Sequence, residues 1–186
     1  MKRILIISIA LLFAISASAE TLESSNKNNE KRNLNTERGF KQSVEFGVST
    51  DFYGDDLYID GEYIAGYRFN NALFAGVGAG LDWNCYEDSF AIPVYAIARS
   101  YMNTRGRLQP MFGVAVGAIF ALSNNVYEDR HSSVSPHFSP TIGLNYMINN
   151  KSSIYLNVGY LMRMMSSDPL SSYYSHCITV RIGFTF

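Results

Sequence analysis

The sequence is poor in charge, in cysteine and in long apolar runs. Charged residues make up only 17% of the 186 residues, the net charge at pH 7 is −1, and no basic patch suited to nucleic acid is present. Two cysteines, Cys85 and Cys177, are too few for a disulfide scaffold. The longest uncharged apolar run beyond the N-terminal region, residues 110–122, is shorter than the roughly 20 residues that a membrane-spanning helix needs. These shortages argue against a nucleic-acid-binding protein, a disulfide-stapled domain and a helical membrane protein.

The N-terminal residues have the three parts of a secretory signal. Lys2 and Arg3 precede an apolar core at residues 4–14, and the small residues Ala17, Ser18 and Ala19 form a cleavage site. The following stretch is rich in asparagine and charge, so it buries too little apolar surface to offset its ordering entropy. We therefore expect a signal peptide at residues 1–19, a disordered periplasmic segment at residues 20–38 and one folded domain at residues 39–186.

From Gly39 to Phe186, apolar and polar residues alternate with a period of two. Successive side chains of a β-strand point to opposite faces, so this alternation predicts strands rather than helices. Short polar stretches rich in Asn, Gly, Asp and Ser interrupt it and predict turns and loops. The predicted strands are residues 40–50, 57–69, 72–84, 90–102, 108–122, 136–148, 152–164 and 172–186.

The connections between these strands are predicted to alternate in length. We expect the first, third, fifth and seventh to be polar and mostly longer, and the second, fourth and sixth to be compact. Long loops at one end and short turns at the other are typical of outer-membrane barrels, and this arrangement would place both termini in the periplasm. Pro93 and Pro140 fall inside predicted strands, where proline removes a ladder hydrogen bond, so we expect a bulge at each.

Strand length and the placement of charge favour a membrane barrel over a soluble periplasmic β-protein, which is the alternative. The predicted strands exceed the mean of about 5–6 residues in soluble proteins and suit a tilted membrane strand of about 9–11 residues with its rims. The charged residues fall on the same face of the strands as the glycines, which predicts that this face points into the barrel. Because eight strands leave an interior about wide enough for side chains to fill, we expect a plugged lumen with an ion-pair network. The predicted network is Lys41, Glu45, Asp60, Glu62, Arg68, Asp82, Arg99, Arg163 and Arg181.

The closing strand, which ends on Phe184 and Phe186 in a chain that begins with an export signal, resembles the last strand of bacterial outer-membrane β-barrels. The pattern from Gly39 to Phe186 is similar to the small outer-membrane barrels of the OmpA and OmpX transmembrane type. The resemblance implies an all-β fold, an eight-stranded antiparallel up-and-down transmembrane β-barrel in the cell outer membrane. It also implies that Phe184 and Phe186 form a terminal signal for the barrel assembly machinery. The barrel would contact outer-membrane lipid and lipopolysaccharide, and its loops would contact an extracellular protein or a host surface.

Candidate chemistry is sparse. His131 and Ser133 resemble the His-x-Ser pattern of outer-membrane lipid A deacylases, in which an acidic residue orients the histidine. Here Glu128 or Asp129 would take that role. His137 and His176 fall on opposite predicted faces, so we expect no metal site and no cofactor. Gly76, Gly78 and Gly80 keep the strand period and are interpreted as strand glycines rather than a nucleotide loop. A disulfide between the two cysteines, which export permits, is left open.

Three hypotheses for function follow. The first is a non-enzymatic barrel with a structural or surface-interaction role, in adhesion or envelope integrity. The second is a lipid-modifying enzyme of the lipid A deacylase type. The third is a narrow channel or a binder of a small ligand.

Overall fold

The computed structural model describes residues 38–52, 56–86, 89–102, 104, 106–122, 134–168 and 171–186, without the side chains of residues 164–168 and 171–174. The expected signal peptide and most of the expected spacer, residues 1–37, lie outside the described residues. In the described part of the chain, all regular structure is β. Its strands are β1 (Gly39–Asp51), β2 (Leu57–Arg68), β3 (Leu73–Asn84), β4 (Ser89–Tyr101), β5 (Leu108–Leu122), β6 (Val134–Met147), β7 (Ser153–Asp168) and β8 (Ser171–Thr185).

The strands form a closed antiparallel barrel. Each strand pairs with its neighbours in sequence, and β1 pairs with β8 through ladders such as Val48↔Val180. The predicted eight-stranded up-and-down barrel is therefore confirmed. No helix among the residues described is long and apolar enough to cross a membrane. We call the end that carries the β2–β3, β4–β5 and β6–β7 connections the turn end, and the opposite end the loop end.

The last hairpin differs from the expected one. Residues 165–171 were expected to form a loop, but β7 and β8 stay paired as far as Asp168↔Ser171, with one register irregularity between Ser166 and Asp168. The polar residues Ser166 and Asp168 continue the ladder, because the hydrogen bonds between strands are made by backbone groups and do not require apolar side chains. The connection left between these strands is residues 169–170.

The expected alternation of long and short connections is wrong. The β4–β5 connection at the turn end, residues 102–107, is longer than the connections at residues 52–56, 85–88 and 169–170 of the loop end. Only the β5–β6 connection, residues 123–133, is clearly long. Loop length read from polar composition was misleading because polar residues belong to strands as well as to loops.

Inward and outward side chains alternate as expected along the barrel. On β3 the outward Val77 is 62% exposed, whereas the inward Asp82 is 2% exposed. The inward glycines make room for large side chains of other strands. A Cβ atom at Gly78 would lie 2.5 Å from the ring of Tyr95, so the interpretation of this run as strand glycines agrees with the packing.

The predicted bulges at the two prolines are wrong. Around Pro93 the β3–β4 ladder runs from Ala79↔Val94 to Asp82↔Ala91 with the intervening pairs missing but the register unchanged. Around Pro140 the β6–β7 ladder skips pairs in the same way and again keeps its register. Proline removes one donor locally, while the ladder on either side and the two-sided burial pattern hold the register.

Candidate functional site in the barrel lumen

The nine charged side chains expected in the lumen all project into it, because they occupy inward positions of their strands. None of them is more than 6% exposed. They are Lys41 and Glu45 on β1, Asp60, Glu62 and Arg68 on β2, Asp82 on β3, Arg99 on β4, Arg163 on β7 and Arg181 on β8.

One group of contacts crosses the lumen between β1, β4 and β7. The guanidinium of Arg99 forms an ion pair with Glu45. The hydroxyl of Tyr155 donates to Oε1 of Glu45 at 2.6 Å and accepts a hydrogen bond from Nη1 of Arg99 at 3.0 Å. A carboxylate, a guanidinium and a phenol therefore bind one another, which offsets part of the cost of burying the charge pair.

A second group joins β8 to β1, β2 and β4. Nε of Arg181 lies 3.2 Å from Oδ2 of Asp60, and its Nη2 lies 3.1 Å from Oε1 of Glu62. Ser49 donates to Asp60 at 2.7 Å, and the hydroxyl of Tyr95 donates to Glu62. This arginine connects two carboxylates of the same strand.

A third contact links β7 to β3. Arg163 forms an ion pair with Asp82, and its guanidinium carbon lies 4.2 Å from the centre of the Tyr58 ring. With this pair, each of the four lumen carboxylates lies within ion-pair distance of an arginine. The structure thus brings seven of the nine predicted network residues together as ion pairs.

The two remaining bases lie at the turn end. Nζ of Lys41 donates to the backbone carbonyl of Lys151 at 3.0 Å. Arg68 donates from Nε to the carbonyl of Asn70 at 3.2 Å and from Nη2 to that of Asn71 at 2.7 Å, and it packs on the ring of Tyr101 at 3.8 Å. These bases contact the turns that close this end of the barrel.

Sequence reasoning did not include the lumen tyrosines in the network. Tyr95 and Tyr155 lie at buried, inward positions of β4 and β7, and their hydroxyls donate hydrogen bonds to Glu62 and Glu45. The sequence feature that could have identified these tyrosines is the inward glycine that lies against each ring. A Cβ atom at Gly183 would collide with Tyr155, as one at Gly78 would with Tyr95. An inward tyrosine paired with an inward glycine of the neighbouring strand therefore marks a side chain that reaches over that strand to the next one.

The candidate catalytic residues His131, Ser133 and Glu128 lie outside the described residues. His137 and His176 face opposite sides of the barrel wall, as expected. His137 is 2% exposed and stacks on Tyr95 with ring centres 4.9 Å apart, whereas His176 is exposed and bonds to Tyr160.

In the described ranges, no group of His, Cys, Asp and Glu side chains is arranged to hold a metal ion. Cys85 and Cys177 are both free thiols. The partly exposed Cys85 follows β3 and the buried Cys177 lies on β8. The structure contains no disulfide between these two residues.

The chain matches no protein-family model and no curated protein. It is similar to several solved structures. Neisserial surface protein A is 14% identical, with a TM-score of 0.61, over 80% of this chain and 95% of that one. The outer membrane protein OprG from Pseudomonas aeruginosa is 14% identical, with a TM-score of 0.56, over 82% of this chain and 97% of that one.

The outer membrane enzyme PagL is also similar, at 10% identity and a TM-score of 0.55, over 77% of this chain and 98% of that one. At these identities the likeness shows the fold alone, which is that of the small eight-stranded outer-membrane barrels. Because the fold is shared with an enzyme, it does not decide whether this chain is one.

Proposed function

We propose that this chain is a non-enzymatic barrel of the bacterial outer membrane, with a lumen plugged by side chains and a structural or surface-interaction role. The segregation of charge supports this proposal most directly. Of the charged side chains described within the strands, only Asp51, at the loop end of β1, is not buried in the lumen. The outer face is apolar, with Val77, Val116 and Ile182 more than half exposed. A charge facing lipid at the bilayer midplane costs about 2–4 kcal/mol, and a soluble surface rarely presents so continuous an apolar belt.

Aromatic side chains at both edges of the belt also support a membrane location. They resemble the girdles that flank the apolar band of outer-membrane barrels. Exposed members at the turn end are Phe40, Tyr67, Phe69, Phe184 and Phe186, and those at the loop end are Phe52, Trp83, Phe120 and Phe138.

The ion pairs support a closed lumen. Glu45, Arg99 and Tyr155 meet from three different strands, and all three are at most 2% exposed. Opening a path for ions would separate buried charges, which is costly. The proposed barrel therefore acts through its lipid-facing surface and its connecting loops, and it does not form a pore.

The partners follow from this placement. The apolar belt would contact membrane lipid, and its outer edge would contact lipopolysaccharide. The closing strand with Phe184 and Phe186 would be recognised by the barrel assembly machinery. The loop end would present the surface for adhesion or for contact with extracellular or host proteins.

Fractionation followed by gel electrophoresis tests the proposal. Closed outer-membrane barrels resist SDS until they are heated, so we expect the protein in the outer-membrane fraction, with a mobility that changes on boiling. The purified protein should then give no conductance steps in planar bilayers. A soluble protein without a mobility shift would refute the membrane location, and reproducible conductance steps would refute the plugged lumen.

The His-x-Ser pattern of residues 131–133, on a fold that is compatible with an outer membrane enzyme, favours a second candidate, a lipid A deacylase that uses His131, Ser133 and Glu128. The two candidates predict different results in vivo. For a non-enzymatic barrel, the mass of lipid A is the same in cells with the intact protein, with His131→Ala and with Ser133→Ala. Loss of one acyl chain in the presence of the intact protein, but not of either variant, would establish the enzyme instead.

A further inference from the structure

The outer wall of the barrel carries one ionisable side chain. Among the strand residues whose side chains the structure describes, His176 is the only Asp, Glu, Lys, Arg or His that faces outward, and it is exposed. Asp51 pairs with the inward Cys177, so its carboxylate belongs to the lumen side of the wall. Ionisable residues that face lipid are costly and rare, and they commonly mark a functional site. His176 is therefore an outward position whose chemistry the apolar belt does not explain.

Three rings, those of Phe52, Tyr160 and His176, form a patch on the outer wall that we call the His176 patch. The rings of Tyr160 and His176 stack with their centres 5.8 Å apart, and the Phe52 ring lies 6.4 Å from that of Tyr160. The Tyr160 hydroxyl bonds to Nδ1 of His176. When the hydroxyl donates this bond, the ring proton lies on Nε2, which has no partner among the residues that the structure describes. The patch then presents one oriented N–H donor to its surroundings.

The His176 patch lies at the edge of the apolar belt nearest the loop end. The backbone N–H of Phe52 donates to the carbonyl of His176 at 3.0 Å, so both residues lie at the height of the aromatic girdle. Toward the turn end, the exposed side chains of Ile178 and Ile182 continue the apolar surface along the same strand. A ligand that fits this surface combines a hydrogen-bond acceptor at Nε2 with apolar chains along β8. That combination is the chemistry of a lipid whose head group lies at the girdle.

We propose that the His176 patch binds the phosphorylated head group of lipid A, the membrane anchor of lipopolysaccharide. The inference rests on the outer-membrane location proposed above, in which the loop end lies in the leaflet that contains lipopolysaccharide. An N–H group binds an anionic phosphate oxygen more strongly than it binds a neutral acceptor. Nε2 of His176 would bind the phosphate, and Phe52 and Ile178 would contact the acyl chains. Tyr160 is a positioning residue, because its hydroxyl orients the imidazole.

Native mass spectrometry of the purified protein in detergent micelles, titrated with lipid A, tests the site. We expect saturable binding that His176→Ala weakens about tenfold, the loss expected for one hydrogen bond to a charged group. Gln42→Ala is the matched control, because Gln42 forms the corresponding exposed pair with Tyr63 near the turn end and should leave binding unchanged. Lipid A without its phosphates should bind about as weakly as intact lipid A binds to His176→Ala. Heat-dependent mobility reports the folding of each variant.

Nitrogen-15 NMR of the histidines adds a readout that a merely structural role of the ring would not move. Lipid A should shift the Nε2 resonance of His176, which is assigned by its loss in His176→Gln, and dephosphorylated lipid A should not. If His176→Ala does not fold, Tyr160→Phe provides a second test. It keeps the aromatic ring and removes the hydroxyl that orients Nδ1, so it should also weaken the binding of lipid A.

Several results would overturn the proposal. Unchanged binding in the folded His176→Ala variant, or equal weakening by Gln42→Ala, would mean that lipid A contacts the belt without using the patch. Equal binding of dephosphorylated lipid A would remove the phosphate from the recognition, and equally tight binding of phosphatidylglycerol would assign the patch to phospholipid instead. Each of these results leaves a heat-modifiable outer-membrane barrel in place, whereas a soluble protein without a mobility shift would refute the membrane location itself.

Discussion

Replacing Glu45 by methionine is the sharpest test of the lumen network. The change keeps a side chain of similar volume but leaves the buried guanidinium of Arg99 without its carboxylate, and it removes the acceptor of the Tyr155 hydroxyl. Breaking a buried ion pair by removing one partner costs about 3–5 kcal/mol. At about 1.4 kcal/mol per factor of ten, the folding equilibrium should fall more than a hundredfold.

A double variant distinguishes the free-energy cost of leaving the charge of Arg99 unpaired from the loss of its attraction to Glu45. Glu45→Met with Arg99→Met leaves no buried charge at this point, so it should cost only about 1–3 kcal/mol, the penalty of the unpaired Tyr155 hydroxyl. Urea unfolding in lipid vesicles, followed by the fluorescence of Trp83, the only tryptophan, measures each free energy. A Glu45→Met cost below about 1 kcal/mol, or a double variant that costs the sum of the single ones, would refute the reasoning.

Three further predictions concern the wall of the barrel. Val116→Arg, in the middle of the outer face, should destabilise the protein in vesicles by about 2–4 kcal/mol, whereas Val134→Arg at the loop-end rim should cost about 0–1 kcal/mol; equal costs would contradict the membrane location. Gly117→Ala places a methyl group against the backbone carbonyl of β4 and should cost about 1–3 kcal/mol in urea unfolding, while Gly61→Ala, with open contacts of 3.7 Å and more, should cost less. The thiol of Cys177 should react with a maleimide only after unfolding, with the half-exposed second cysteine as the internal control; rapid labelling of both thiols in the folded barrel would contradict the burial.

Much of the wall could be predicted from the sequence because every side chain in a strand faces one of two sides. The predicted bounds of residues 108–122 agree with β5, and the inward list of charges agrees with the burial. Prediction failed where residues carry no two-sided pattern. Met165, Ser166 and Asp168 read as a loop by composition, yet they pair with β8 through their backbone.

The sequence by itself determined the number of strands, their order and the side that each residue faces, since burial on one side and exposure to an apolar medium on the other impose a period of two. Only the tertiary structure decided which lumen groups meet. Glu45 binds Arg99, 54 residues away, and Tyr155, 110 residues away, because closure of the barrel brings three strands to the same level. The tilt of the strands and the stagger between them decide which residues lie at the same height in the barrel. Neither can be inferred from the alternation within a single strand. The same closure places Phe52 beside Tyr160 and His176, which no pattern along the chain reveals.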